Sequence, residues 1–259
     1  MNLGIAGRRA LVIGGSRGMG RACAEALAAE GALVTIAARK VEPLQRAAAE
    51  IGAATGLPVN AVALDITTAE GRLSALDACP APDILINNGD GEPPGDYRDW
   101  TREDWIRALD RMMLAPIEMM RLTVDAMMER GFGRIVNIVS RSVKSPQIEL
   151  GLSNGARSGL VGFVAGLARQ TIARNVTINN ILPGIVASDA QRDHVRGLAE
   201  MTGRSFADIW DERARQNPAG RYGDPAEIGA LAAFLCSAKA GFMTGQSLLI
   251  DGGQYPGTY

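Results

Sequence analysis

Residues 11–20 read LVIGGSRGMG, an apolar run followed by glycines at Gly14, Gly18 and Gly20. A short apolar run that ends in glycines and leads into a helical pattern marks a strand–turn–helix unit. Such a turn leaves backbone N–H groups unpaired at a helix N-terminus, where the helix dipole also favours an anion. Glycine is wanted where a side chain would block the close approach of a pyrophosphate. The G-x3-G-x-G spacing differs from the G-x-G-x-x-G dinucleotide fingerprint. Glycine also makes up 31 of 259 residues, so an ordinary strand–helix turn would read the same way.

Outward from that turn, short apolar runs alternate with longer helical patterns. Strands are expected at 10–13, 33–37, 59–64, 84–87, 134–140, 176–182 and 247–250, and helices at 18–30, 43–55, 102–130, 153–174 and 225–237. This alternation predicts an α/β fold, a doubly wound and mainly parallel seven-stranded sheet with helices on both faces. Right-handed crossovers then place ligands at the carboxyl ends of the strands. No repeat, linker or low-complexity break divides the chain, so residues 1–259 are expected to form one domain. The stretch 188–218 fits no strand and carries the one histidine, His194. It reads either as a helical substrate lid or as a plain surface excursion. In the 102–130 pattern, Thr101 and Asp104 are spaced as a near capping box, and Pro116 is expected to kink the helix. Met112, Met113, Met119, Met120, Met127 and Met128 recur there, a stripe suited to core or subunit packing.

Bulk composition excludes several classes of function. Lys+Arg total 27 and Asp+Glu 28, a formal net charge of −1, which favours neither a polyanion nor a charged membrane. Aromatic residues are 5%, too few for base-stacking nucleic-acid platforms. Cys23, Cys79 and Cys236 are far apart and odd in number, which fits a reducing cytoplasm better than disulfides or a metal cluster. Residues 1–15 lack a signal-peptide pattern, and no apolar stretch approaches the ~20 residues of a membrane span.

Six segments fall in a telling order: GGSRGMG (14–20), Asp65 closing the third strand, INNG (86–89), RIVNIVS (134–140), LPG (182–184) and TGQSLLIDGG (244–253). In this combination the chain resembles the short-chain dehydrogenase/reductase family, in its branch of about 250 residues. The resemblance implies a Rossmann-like sheet that binds NAD(H) or NADP(H), assembled as a homotetramer or homodimer. It places Gly14, Ser16, Arg17, Gly18, Met19 and Gly20 at the pyrophosphate turn, and Asp65 and Ile66 at the adenine ring. Asn87 and Gly89 match the family's Asn-Asn-Ala-Gly stretch, read here as Asn-Asn-Gly-Asp, so that Asp90 brings a carboxylate to the cofactor cleft. Pro183, Gly184 and Ser188 match the segment bordering the nicotinamide.

Cofactor choice follows from charge. An acidic residue after the second strand would bind the ribose 2′-OH and repel a 2′-phosphate. Here the strand ends Ala37-Ala38-Arg39-Lys40, with Arg17 in the neighbouring turn. Guanidinium groups suit phosphate oxygens, so NADP(H) is expected over NAD(H). Alternatively, Arg39 stacks on adenine or faces solvent.

The reaction site departs from the resemblance. The family pairs a Ser with a Tyr thirteen residues on, a Lys four further, and an Asn on the preceding helix. Ser140 is present, but Ser153 stands for the Tyr, Arg157 for the Lys and Met112 for the Asn. No tyrosine lies between Tyr97 and Tyr222, so no register shift restores the pattern. A serine hydroxyl is a far weaker acid than a tuned phenol, and Arg157 stays protonated. Ser140 and Ser153 are therefore expected to hydrogen-bond a carbonyl oxygen, while Arg157 supplies positive charge to an oxyanion or holds the cofactor's ribose hydroxyls. The proton is left to water or to Lys144, Asp90, Glu92 or His194. Three functions fit: an NADP(H)-dependent oxidoreductase acting on a small carbonyl or alcohol, an NADP(H)-binding protein without redox turnover, and a lyase-like enzyme. Tyr255, Pro256 and Tyr259 either cover a neighbouring subunit's cleft or fray.

Overall fold

The computed structural model describes residues 2–258. The first half of the chain runs β1 (Arg9–Ile13), α1 (Gly18–Ala29), β2 (Leu33–Ala38), α2 (Val41–Thr55), β3 (Asn60–Ala63), α3 (Ala69–Ala78) and β4 (Ile84–Asn88). The second half runs α4 (Arg102–Leu109), a π-helical segment Asp110–Leu114, α5 (Ala115–Glu129), β5 (Gly133–Ile138), α6 (Gly151–Thr171), β6 (Val176–Pro183), α7 (Asp189–Thr202), α8 (Phe206–Gln216), α9 (Pro225–Cys236) and β7 (Ser247–Ile250). The seven strands form one sheet in the order β3-β2-β1-β4-β5-β6-β7, and every pairing is parallel. The expected doubly wound fold is therefore the observed one.

Burial explains the winding. Strands covered on both faces read as continuous apolar runs, and every residue of β5 and β6 is buried. Cys23 and Leu27 of α1, Leu44 and Ile51 of α2, and Ile228 and Leu235 of α9 pack on one face with Val12 and Ile86. Ala75 of α3, Met119, Met120 and Met127 of α5, and Leu160 and Val164 of α6 pack on the other with Leu11 and Leu85. The methionine stripe is thus core rather than a subunit surface. The strand order reverses between β1 and β4, and the crevice outside their carboxyl ends is where such sheets bind ligands.

Three local expectations need correction. The helix expected at 102–130 is interrupted: the Ala115 N–H donates to the Asp110 carbonyl, five residues back, across the π segment. Pro116, which lacks an N–H, then sits in the first turn of α5, where that lack costs nothing. Helix α3, capped by Thr68 Oγ1 accepting from the Gly71 N–H, was not expected. Strands β3 and β5 end earlier than expected, so Asp65 and Ser140 lie in the loops just past them. The stretch 188–218 is largely helical, as α7 and α8.

Candidate functional site

The nucleotide end is built on backbone fit. Gly14 has φ +70, and its N–H donates to the Ala37 carbonyl at 2.8 Å. A Cβ on Gly14 would lie 2.4 Å from the Asn88 carbonyl oxygen, and one on Gly20 would lie 2.2 Å from the Gly14 oxygen. These two glycines let the β1 turn, α1 and the end of β4 nest together. Gly18, with φ +56, supplies the left-handed step into α1. Arg17 occupies the N-cap without a side-chain acceptor, so the first-turn N–H groups of α1 remain open to an anion. Ser16 is half-buried beside it, and Met19 packs into the core beneath. These open N–H groups are donors that could hold a pyrophosphate.

Beside it, Arg39 pairs with Asp90, and Arg17 Nη2 lies 4.0 Å from Asp90 Oδ1. The two guanidinium groups read as phosphate ligands thus converge on the carboxylate that departs from the family pattern. Asp65 Oδ1 accepts from the Thr67 hydroxyl at 2.7 Å and the Thr67 N–H at 2.9 Å, which holds its carboxyl below the usual range. The Ile66 carbonyl accepts from Arg72 Nη1 at 3.0 Å, fixing the same turn.

At the reaction end, α6 begins at Gly151, so Ser153 sits in its first turn and Arg157 one turn on, on the same face. Arg157 Nε donates to Ser153 Oγ at 3.1 Å, Nη1 to the Ile138 carbonyl at 3.1 Å, and Nη2 to the Gly89 carbonyl at 3.4 Å. One side chain therefore ties α6 to the ends of β4 and β5. Burial pushes the Arg157 pKa down to about 10, opposed by Asp90, and the group stays cationic at neutral pH. Ser140 caps the short 3-10 turn that follows β5, its Oγ accepting from the Ser142 N–H at 3.1 Å. Met112 is buried with Ala108, Leu152 and Ala156, so an apolar cluster fills the position where the resemblance implies an Asn.

The remaining residues take definite places. Pro183 ends β6, and Gly184 passes so close to Asp251 that a Cβ would lie 2.7 Å from its Cα. Ser188 caps α7 by accepting from the Gln191 N–H, and its Cβ would lie 3.6 Å from a Cβ on Gly18. The start of α7 and the glycine turn are thus neighbours. Of the four proton-donor candidates, Asp90 and Glu92 are engaged in ion pairs, Glu92 with Arg107 and Arg111. Lys144 lies 6.0 Å from the Tyr255 ring centre, which sets the C-terminal segment against the Ser140 loop of its own chain. Tyr259 lies outside the described residues. His194 on α7 is half-buried, and burial, then Arg213, lower its pKa, while Glu149 opposes them. Phe206 and Trp210 of α8 and Tyr222 form a stack, with Arg192 of α7 over Trp210.

A buried amide ladder escaped the sequence reading. Asn87 Nδ2 donates to Asn137 Oδ1 at 2.9 Å, Asn137 Nδ2 to Asn180 Oδ1 at 3.0 Å, and Asn180 Nδ2 to Ser247 Oγ at 3.2 Å. These residues are in register across β4, β5, β6 and β7. Asn88 Nδ2 also donates to the Gly14 carbonyl at 3.3 Å, joining β4 to the glycine turn. All three cysteines are buried, and burial raises each thiol pKa, that of Cys23 to about 12. Among the described residues no cluster could hold a metal ion, and no helix is long and apolar enough to cross a membrane.

Comparison with known proteins bears on the family. A family model described as enoyl-(acyl carrier protein) reductase matches residues 13–254. The 3-oxoacyl-(acyl-carrier-protein) reductase of Vibrio harveyi is 32% identical over 262 residues, covering 98% of this chain and 99% of its own. An acetoacetyl-CoA reductase of Shinella zoogloeoides is 32% identical, covering 96% and 98%. The L-sorbose reductase of Gluconobacter frateurii, solved with NADPH and L-sorbose, superposes with TM-score 0.93 at 28% identity over 98% of each chain.

Proposed function

The chain belongs to the short-chain dehydrogenase/reductase family, and from that premise we propose that it is an NADP(H)-dependent oxidoreductase acting on a small carbonyl or alcohol. Its reaction site is built from Ser140, Ser153 and Arg157. The observation that supports this most directly is the Arg157–Ser153 pair, anchored to the ends of β4 and β5. That pair stands beside a turn whose glycines and uncapped helix fit a pyrophosphate.

When bound, NADP(H) supplies or takes up the hydride. The protein holds the reacting oxygen. Arg157 Nε–H occupies one lone pair of Ser153 Oγ, which leaves the Ser153 O–H free to donate to a carbonyl oxygen. Arg157 uses three of its five N–H donors on these anchors and brings a buried positive charge to the charge developing on that oxygen. Neither group gives up a proton near neutral pH, so water delivers it.

The absence of a carboxylate after β2, with Arg39 in its place, supports NADP(H) over NAD(H), as does the NADPH in the L-sorbose reductase structure. The pair α7 and α8, stapled by the Trp210 stack, serves as the substrate lid. Trp105, Ile106, Leu114 and Phe163, on α4, the π segment and α6, are large exposed apolar residues, which supports a homodimer or homotetramer. Three free cysteines agree with a cytoplasmic setting. A second reading, NADP(H) binding without turnover, draws on the apolar cluster around Met112, which leaves no polar relay there.

The test is NADPH consumption over a panel of ketones, aldehydes and diketones. The native protein is expected to oxidise NADPH with at least one of them. Ser153→Ala should lower kcat while NADPH binding is kept. Tight NADPH binding with no turnover on any compound selects the second reading, and equal affinity for NADH and NADPH at moderate salt removes the cofactor assignment.

A further inference from the structure

β2 and β4 lie on either side of β1. An ion pair that joins their carboxyl ends must therefore pass over the turn after β1, across the groove where a nucleotide would lie. Arg39, just past β2, and Asp90, just past β4, form such a pair, and Arg17 joins from within the turn. The loop carrying Asp90 is itself held in place. Glu92, with a side chain only 3% exposed, binds Arg111 at 3.1 Å and Arg107 at 3.4 Å, and Arg157 Nη2 reaches the Gly89 carbonyl. Asp90 is thus fixed on both sides along the chain. Its two partners are long, half-exposed side chains that can turn away from it.

Resting on the NADP(H) reading above, we propose that Asp90 is an internal counter-anion. It occupies the 2′-phosphate position between Arg39 and Arg17 and sets NADP(H) affinity by competing with that phosphate. A phosphate monoester carries more charge and more acceptor oxygens than a carboxylate, and it matches the guanidinium fork. Half-exposed ion pairs are weak and screened by salt, so the exchange is easy. NAD(H) has no anion at this position, so opening the strap gains nothing in return. Removing the carboxylate should therefore help NADP(H) more than NAD(H), because it removes both the competition and the repulsion of the 2′-phosphate.

The experiment titrates NADPH and NADH by fluorescence into the native protein, Asp90→Asn and Arg39→Ala. Asp90→Asn leaves the Glu92 anchor intact, and a thermal melt checks its fold. At low salt it should tighten NADPH about fivefold, with a smaller change for NADH, as expected for losing a half-exposed pair. The gain should shrink as salt rises and the Debye length falls below about 10 Å. Arg39→Ala should weaken NADPH and leave NADH nearly unchanged. An unchanged NADPH affinity in Asp90→Asn, with the native protein binding NADPH well, overturns this inference and leaves the proposed function standing. Weaker NADH binding in Asp90→Asn means that the carboxylate holds ribose hydroxyls, which also overturns it. A native protein that binds neither cofactor overturns both.

Discussion

At the nucleotide end of the cleft, Gly14 and Gly20 work by lacking side chains; at the reaction end, Ser153 and Arg157 work through the side chains they have. A Cβ on either glycine meets backbone atoms within 2.4 Å. Arg157, by contrast, holds α6 to the ends of β4 and β5 through two hydrogen bonds and binds Ser153 of its own helix with a third. The nucleotide end is a constraint on main-chain geometry and admits almost no change. At the proposed reaction end, Ser153 and Arg157 stand where the family resemblance implies Tyr and Lys, and Arg157 anchors α6 to the sheet. The two ends thus rest on different kinds of constraint, and the proposed cofactor scaffold and reaction groups are predicted to be separable on one sheet.

The strongest way to break this contrast is Gly20→Ala. Its Cβ cannot be accommodated without moving the Gly14 turn. A loss of about 1–3 kcal/mol, typical of overpacking, is expected together with loss of NADPH binding. Thermal melts and NADPH titration read both. Binding at native strength would show that the turn is looser than its contacts imply.

Arg157→Met comes next. It leaves the Ile138 and Gly89 carbonyls without this donor, at a cost of about 1–3 kcal/mol, and abolishes turnover. The NADPH affinity should fall less than in Gly20→Ala. A fall as large as that of Gly20→Ala would mean that the two ends are not separable.

Asn137→Leu tests the ladder beneath both ends. It strands the Asn87 donor and the Asn180 acceptor in a buried layer, for about 1–2 kcal/mol. Denaturant melts should show the loss with turnover per folded molecule kept.

The smallest effect is Asp65→Asn. Hydrogen bonds from Thr67 depress the Asp65 pKa, so its contribution is present above the unfolded carboxylate value and is lost as pH falls through the folded value. The variant should melt slightly lower than the native protein at pH 7, and the gap should close in acid. A gap that widens in acid would contradict the assignment.

Much of this was legible in the sequence because it depends on local pattern. Apolar runs marked the strands, glycines marked the β1 turn, and counting from Ser140 located Ser153 and Arg157. What was not legible depends on residues meeting across the sheet. The ladder needs the register of β4, β5, β6 and β7, in which Asn87, Asn137 and Asn180 are neighbours only once the strands pair. The Arg39–Asp90 pair needs the strand order, since 51 residues separate its members. The π segment reflects a hydrogen-bond shift that propensity does not encode; only Pro116 hinted at it. Helix α3 buries just Gly71 and Ala75, so it had no apolar stripe to reveal it.

The most direct test is NADPH oxidation by the native protein beside the Ser153→Tyr, Arg157→Lys double variant, on the same panel of carbonyl compounds. The account predicts turnover by the native protein on at least one compound, with comparable NADPH affinity in both proteins. Turnover by the double variant alone would contradict it, leaving a sound nucleotide end joined to a reaction end that does not carry out carbonyl reduction.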